Sequence, residues 1–339
     1  MNAEFVAVFV GSSIRFAAPL MLASTGELIS ERAGVLNMSV EGMMLSGAFL
    51  GAAGAWATGN AALGLAIGML GVLPIALLQA FLSVTLRANQ IVTGIGINIL
   101  ALGATTLAYR ELFGERSSAV IPGLARWSPP GLGAIPVIGE PVFHQVWLVY
   151  LGLAILLATS LVMRRTALGV ALHAVGAAPR SVDQSGLSVT RLRYGAVLFS
   201  GVMSGAAGCF ISIGDIHTFT EGMTGGAGYL AIAAIIFGNW KIGRTVGACL
   251  LFGAASALQF QLPLIGVHVP TALLAMLPYL LALIAVAGLI LIVSVYLTRP
   301  ASFSTLPAIL LSALAGGLFI WGGVAGVQWA ADSAGSTIK

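Results

Sequence analysis

Apolar runs of about 20 residues recur along this chain, each long enough to cross about 30 Å of hydrocarbon as a helix. Residues 4–24 form the first and carry Arg15 in their middle. An arginine at mid-membrane depth is strongly disfavoured. The segment therefore reads either as one span or as a surface-lying start followed by a shorter span. Further spans are expected at 61–86, ending at Arg87, at Asn89–Tyr109, at 145–163, at 194–213, at 271–298 and at 305–330. With the broken stretches between them this gives about nine or ten crossing segments by the length criterion. The expected fold is all-α: a polytopic transmembrane helical bundle that includes a broken or re-entrant helix, built as one domain over residues 1–339.

The interruptions carry more information than the spans. In TGELISERAGVLNMSVEGMMLSGAFLGA, Glu27, Glu31, Arg32, Asn37, Ser39 and Glu41 alternate with apolar residues. Lipid would reject those charges and a watery loop would not need the apolar residues. A broken or interior-facing helix remains, with its irregular backbone lining a cavity or buried in protein. Glu31 and Arg32 read as a pair pinning a turn, whereas Asn37 and Glu41 read as cavity residues. On the span from Asn89, the residues Gly94, Asn98, Ala101 and Thr105 share one stripe, with Gln90 and Thr93 one turn earlier. Such a stripe either packs against another helix or faces a polar path.

Residues 113–144 hold Pro122, Pro129, Pro130, Pro136 and Pro141, and by alternation of sides form a structured external loop. Between Gly169 and Gly201 the chain is Gly- and Pro-punctuated and basic, with Arg164, Arg165, Arg180, Arg191 and Arg193 in or beside it. The positive-inside rule makes it cytoplasmic. It reads either as a short surface helix offering a handle to a cytoplasmic partner or as an ordinary charged connector. After the polar run GDIHTFTEGMTGGAG, YLAIAAIIFG is about half a span and NWKIGR breaks it before apolar sequence resumes at Thr245, the pattern of a re-entrant element.

Only 8% of the residues are charged and 58% are hydrophobic, too little charge to cover a soluble surface. The net charge of +4 comes from arginines near helix ends, so it reports topology and no nucleic-acid partner. No charged start, short apolar stretch and cleavage site opens the chain, so the first helix is expected to direct insertion itself. Cys209 and Cys249 have no CxxC partner, and no metal site is expected. The 44 glycines imply close helix packing, with GxxxG spacing at Gly47/Gly51, Gly64/Gly68, Gly201/Gly205 and Gly322/Gly326. There is no GxxxxGK[ST], HExxH or GxSxG, no row of embedded acids for a proton relay, and neither an arginine ladder nor TVGYG. The chain reads as a conduit without an engine.

Four stretches in order resemble the permease subunits of bacterial ATP-binding-cassette importers of the ribose and branched-chain amino-acid branch. They are GELISERAGVLNMSVEGMMLSGAF, RANQIVTGIGINILALG, LGVALHAVGAAPRSVDQSGL and GAGYLAIAAIIFGNW, and the likeness spans residues 14–288. It is nearest to the nucleoside-uptake permeases that work with basic-membrane-protein-type lipoproteins. The resemblance implies a multi-pass protein of the bacterial cytoplasmic membrane that translocates a small polar solute, with a nucleoside as the expected cargo. It implies three partners besides the bilayer: a cytoplasmic ATP-binding subunit that holds the ATP, a second permease subunit, and an extracytoplasmic lipoprotein. The chain itself would hold no cofactor and no catalytic residue. The resemblance places Asn37, Ser39, Glu41, Gln90, Thr93 and Asn98 near the substrate path. It places Arg165, Gly169, Gly176, Pro179, Asp183 and Gly186 on the segment that couples to the ATPase. Two departures stand out: Ala177-Ala178 replaces a usually polar pair, and residues 305–330 add an apolar segment. The alternatives are a simple sugar or amino acid on the same scaffold, or a secondary carrier or channel.

Overall fold

Helix α1 (Ala3–Arg32) runs unbroken through Arg15 and contains Pro19. We describe it, and the rest of the chain, from a computed structural model over residues 3–114, 121–131, 133, 135–136, 139–263 and 271–283. The helix does not break at Arg15, whose Nε lies 3.3 Å from Asp215 Oδ1. An opposite charge at that distance offsets part of the penalty that the half-buried guanidinium would meet in hydrocarbon.

The next elements are α2 (Val40–Thr58), α3 (Ala61–Gly71), α4 (Leu73–Ala80) and α5 (Gln90–Phe113). A π-helical turn over Phe81–Thr85 continues α4. Asn60 and Asn89 cap α3 and α5, each accepting two backbone N–H groups. The loop between α5 and α7 contains β1 (Arg126–Trp127), α6 (Gly139–Phe143) and β2 (Gln145–Val146), and the two strands pair antiparallel. Then come α7 (Trp147–Arg165), α8 (Ala167–Ala177), α9 (Pro179–Gln184) and α10 (Val189–Cys209). A second π-helical stretch, Phe210–Ile216, extends α10. Last are α11 (Ala227–Phe237), α12 (Ile242–Gln261) and α13 (Thr271–Ala275).

Among the described residues six helical segments are long and apolar enough to cross a membrane: Phe5–Arg32, Ala61–Thr85, Gln90–Phe113, Trp147–Arg165, Val189–Ile216 and Ile242–Gln261. The chain is therefore a polytopic helical membrane protein, and about nine or ten segments are not confirmed among the described residues. Two stretches explain part of the difference. Helix α2 is 19 residues long but is interior, with thirteen of those residues buried. Helix α11 has 11 residues, about 16 Å of rise, roughly half of the hydrocarbon thickness. The break after α11 is also shorter than expected, since α12 starts at Ile242 and not at Thr245. Residues 284–339, with the expected spans beyond 283 and Gly322/Gly326, lie outside the described residues. The chain divides into two units, Met1–Ala282 and Leu283–Lys339; everything below concerns the first.

Glycine spacing sets how that unit packs. A Cβ on Gly47 of α2 would fall 2.5 Å from the Cα of Gly205 on α10, so at that crossing the backbones touch. Beside it the thiol of Cys209 sits in the notch left by Gly51 of α2 and Gly68 of α3, donating to the Gly47 carbonyl at 3.2 Å. Gly47, Gly51, Gly64, Gly68 and Gly205 thus converge on one three-helix contact, while Gly201 packs against Ala76 of α4. Large apolar side chains such as Ile99, Leu100, Leu107 and Leu161 stay more than 60% exposed, as a lipid-facing surface requires.

Candidate functional site

The link between α1 and α2 is where most of the polar residues meet. Helix α1 stops in a Schellman turn: Gly34 has φ 79°, Val35 N–H donates to Ser30 at 3.0 Å and Gly34 N–H to Glu31 at 2.9 Å. Only glycine takes that left-handed position without strain, and the AGV sequence supplies it. The chain then runs irregularly from Ala33 to Ser39, with no ladder of its own to use its backbone groups.

Side chains from three helices take up those groups. Glu27, fully buried on α1, accepts the Asn37 N–H at 2.8 Å with Oε1 and the Ser200 hydroxyl at 2.8 Å with Oε2. Asn37 Nδ2 donates to Ser200 Oγ at 3.1 Å, and Asn37 Oδ1 accepts the Ser39 hydroxyl. From α5, Gln90 Oε1 accepts Leu36 N–H at 2.8 Å. Asn98 accepts Gly42 N–H at 2.8 Å and donates to the Met38 carbonyl at 2.9 Å and to the Tyr229 hydroxyl at 2.8 Å.

Glu41, in the first turn of α2, reaches a different element. Its carboxylate accepts Gly226 N–H, Gly228 N–H and the Thr224 hydroxyl, each at 2.7 Å. Helix α11 has no cap from its own sequence, so this carboxylate satisfies its first N–H groups and meets its dipole with negative charge. At the other end of α11, Trp240 donates its indole N–H to Glu31, and Arg32 Nη2 donates to the Trp240 carbonyl at 2.6 Å. Glu31 and Arg32 therefore hold Trp240 instead of pairing with each other. Both ends of the half-length helix are tied to the two sides of the α1–α2 break.

Helices α8 and α9 pack beneath that break. A Cβ on Gly176 would collide with the Arg32 carbonyl, and Gly169 lies against the Met163 backbone at the end of α7. Arg193 of α10 donates to the Ala33 carbonyl at 3.1 Å and the Val175 carbonyl at 3.4 Å. It so joins α10, the end of α1 and α8. Arg164, Arg165, Arg180, Asp183 and Gly186 are exposed, while Leu172, Val175 and Val182 are buried. A cavity of about 420 Å³ lies elsewhere, between α1, the end of α10, α11 and α12.

The family described as "Branched-chain amino acid transport system / permease component" matches residues 9–286. The chain belongs to this permease family. It is 34% identical over 304 residues to the guanosine ABC transporter permease protein NupQ of Bacillus subtilis, covering 85% of this chain and 93% of that protein. It is 30% identical over 290 residues to the nucleoside ABC transporter permease protein NupC of Lactococcus lactis, covering 83% and 91%. To the putative glucose ABC transporter permease protein TsgC13 of Haloferax volcanii it is 36% identical over 262 residues, covering 76% and 78%. No solved structure matches the chain.

In this permease the fold brings Asn37, Ser39, Glu41, Gln90 and Asn98 onto one segment, residues 36–42. Thr93 stays apart, its hydroxyl bonded to the Asn89 and Gln90 carbonyls of its own helix. None of the six lines the 420 Å³ cavity. The α5 stripe is a packing stripe: Gly94, Asn98, Ala101 and Thr105 are all buried, with Gly94 against Met38 and Asn98 on Gly42. Ser200 escaped sequence reasoning because it is a single hydroxyl in an apolar run, while Arg193 stood out only as one of several basic residues and Trp240 only as part of the NWKIGR break. Glu27 did leave a signal, one turn before Glu31 and inside an apolar run.

Proposed function

We propose that this permease is a membrane subunit of an ATP-binding-cassette importer of the bacterial cytoplasmic membrane and that its cargo is a nucleoside. The carrying observation is the 30–34% identity to a guanosine and a nucleoside permease over more than nine-tenths of their lengths. In this reading a cytoplasmic ATP-binding subunit holds the ATP, a second permease completes the conduit, and an extracytoplasmic lipoprotein delivers the cargo. The 36% identity to a putative glucose permease makes a simple sugar the competing cargo.

The coupling surface in this reading is α8–α9. Arg165 at the end of α7, Asp183 and Gly186 are exposed beside or on it, Pro179 is half-buried, and Gly169 and Gly176 seat it on α7 and α1. A push on α8 reaches Arg32 through Gly176 and Ala33 through Arg193. It thus acts on the link that carries Asn37 and Ser39, and through Glu41 on α11. Asn37, Ser39, Glu41, Gln90 and Asn98 are then the hinge of the path wall, exchanging partners as the conduit alternates its access. Thr93 belongs to the wall itself.

The test is uptake by proteoliposomes holding the full assembly of both permeases, the ATP-binding subunit and the lipoprotein. ATP-dependent accumulation of tritiated guanosine, with none of glucose, is the expected result. Accumulation of glucose alone overturns the cargo. Uptake by this permease without the ATP-binding subunit overturns the importer reading.

A further inference from the structure

The cavity of about 420 Å³ between α1, the end of α10, α11 and α12 lies apart from the coupling surface and meets the hinge at Thr224, whose hydroxyl is bonded to Glu41. Its size falls in the range of about 300–1,000 Å³ usual for small-molecule sites. Among the described residues Arg15 and Asp215 are the only charged groups lining it, and their charges cancel. A chamber of that kind favours a neutral ligand over an anion or a cation, while still presenting strong donors and a strong acceptor side by side. The pair is loosely made: Arg15 Nε, although 3.3 Å from Asp215 Oδ1, is buried without a hydrogen bond. Such a buried donor is unfavourable unless something else engages it. One wall is aromatic. Phe16 and Phe260 stack with ring centroids 5.1 Å apart and planes 8° from parallel. Gln259 adds a further hydrogen-bonding group to the lining, which also includes Ser256. The same ion pair also lines a second cavity of about 360 Å³, bounded by Arg126, Glu140 and His144 of the loop between α5 and α7.

We propose that the 420 Å³ chamber binds the base of the nucleoside cargo, entered from the loop-side cavity past the Arg15–Asp215 pair. A flat neutral heterocycle that carries donors and acceptors along one edge and π-faces above and below is the ligand that matches this lining. Its edge engages Asp215 and Arg15, and a face lies on the Phe16–Phe260 wall. A sugar offers hydroxyls to the polar groups but no flat face to that wall. This inference rests on the nucleoside reading above and names where the cargo sits.

The test uses Ser256→Cys in the complete importer. The native Ser256 hydroxyl bonds only back to the Phe252 carbonyl of its own helix, at 3.1 Å, and Cys209 and Cys249 are buried, so the new thiol is the reactive one in this permease, and the native importer labelled in parallel supplies the background. Labelling by a methanethiosulfonate reagent is timed with and without millimolar guanosine, uridine or glucose, beside guanosine uptake by the same preparation. We expect guanosine and uridine to slow labelling at least fivefold and glucose to leave it unchanged. Adding Phe260→Ala should abolish the protection. Uptake of guanosine without protection overturns the chamber and leaves the nucleoside reading standing. Protection by glucose alone overturns the base assignment. Absence of guanosine uptake by the native importer, assayed in parallel, removes the nucleoside reading and this inference with it.

Discussion

Gly228 and Glu41 meet at the closest approach of α11 to α2: the Gly228 N–H donates to Glu41 Oε2 at 2.7 Å, and a Cβ on Gly228 would fall 2.7 Å from the Glu41 Cα. The carboxylate reaches the end of the half-length helix because the residue there has no side chain. Gly228→Ala should therefore push α11 away from its cap. A destabilisation of about 1–3 kcal/mol is expected from overpacking of this kind, read as a lowered melting temperature of the detergent-solubilised permease. Glu41→Ala should act in the same direction by leaving the Gly226 and Gly228 N–H groups without an acceptor.

Ser200 and Ser204 lie one turn apart on α10 and are both buried, yet they should respond oppositely to alanine. Ser200 donates to Glu27 and accepts from Asn37, so Ser200→Ala strands two buried polar groups at about 1–3 kcal/mol. The Ser204 hydroxyl has no partner, so Ser204→Ala should leave stability unchanged or raise it by about 1 kcal/mol. Parallel thermal unfolding of the two variants checks this.

Asn98→Leu and Thr93→Val separate hinge from wall. Asn98 holds both Gly42 N–H and the Met38 carbonyl, and leucine there should lower stability by about 2 kcal/mol or more. Thr93 bonds only within its own helix; valine should change stability by less than about 0.5 kcal/mol. If Thr93 lines the path, Thr93→Val alters the uptake rate while the melting temperature stays put.

Gly176→Val tests transmission. Its side chain would force α8 off the Arg32 carbonyl while leaving the exposed face of α9 in place. The expected outcome is an assembly that still hydrolyses ATP but moves fewer cargo molecules per ATP. A measured ratio equal to that of the native protein would remove Gly176 from the chain of contacts.

Local chemistry made much of this fold legible. The capping asparagines at 60 and 89, the glycine that ends α1 and the short apolar run of α11 are all visible in the sequence. Their structures follow from helix-end geometry and length alone. What could not be read was partnership across long separations. Nothing in a run such as GAVLFSG says that Ser200 will meet a carboxylate 173 residues away. Nothing near Arg15 announces Asp215 either. The interior place of α2 was legible from the charged and polar residues before it and not from its own composition, which is the same whether lipid or protein surrounds a helix apolar on every side.

The backbone contacts of Gly47 with Gly205, and of Gly51 and Gly68 with the Cys209 thiol, also limit how the machine can work. Helices meshed that closely have no side-chain cushion over which to glide, and a slip of a fraction of a turn would drive main chain into main chain. So α2, α3 and α10 travel as one block. Any stroke has to be taken up at that block's borders, where the chain is already unwound.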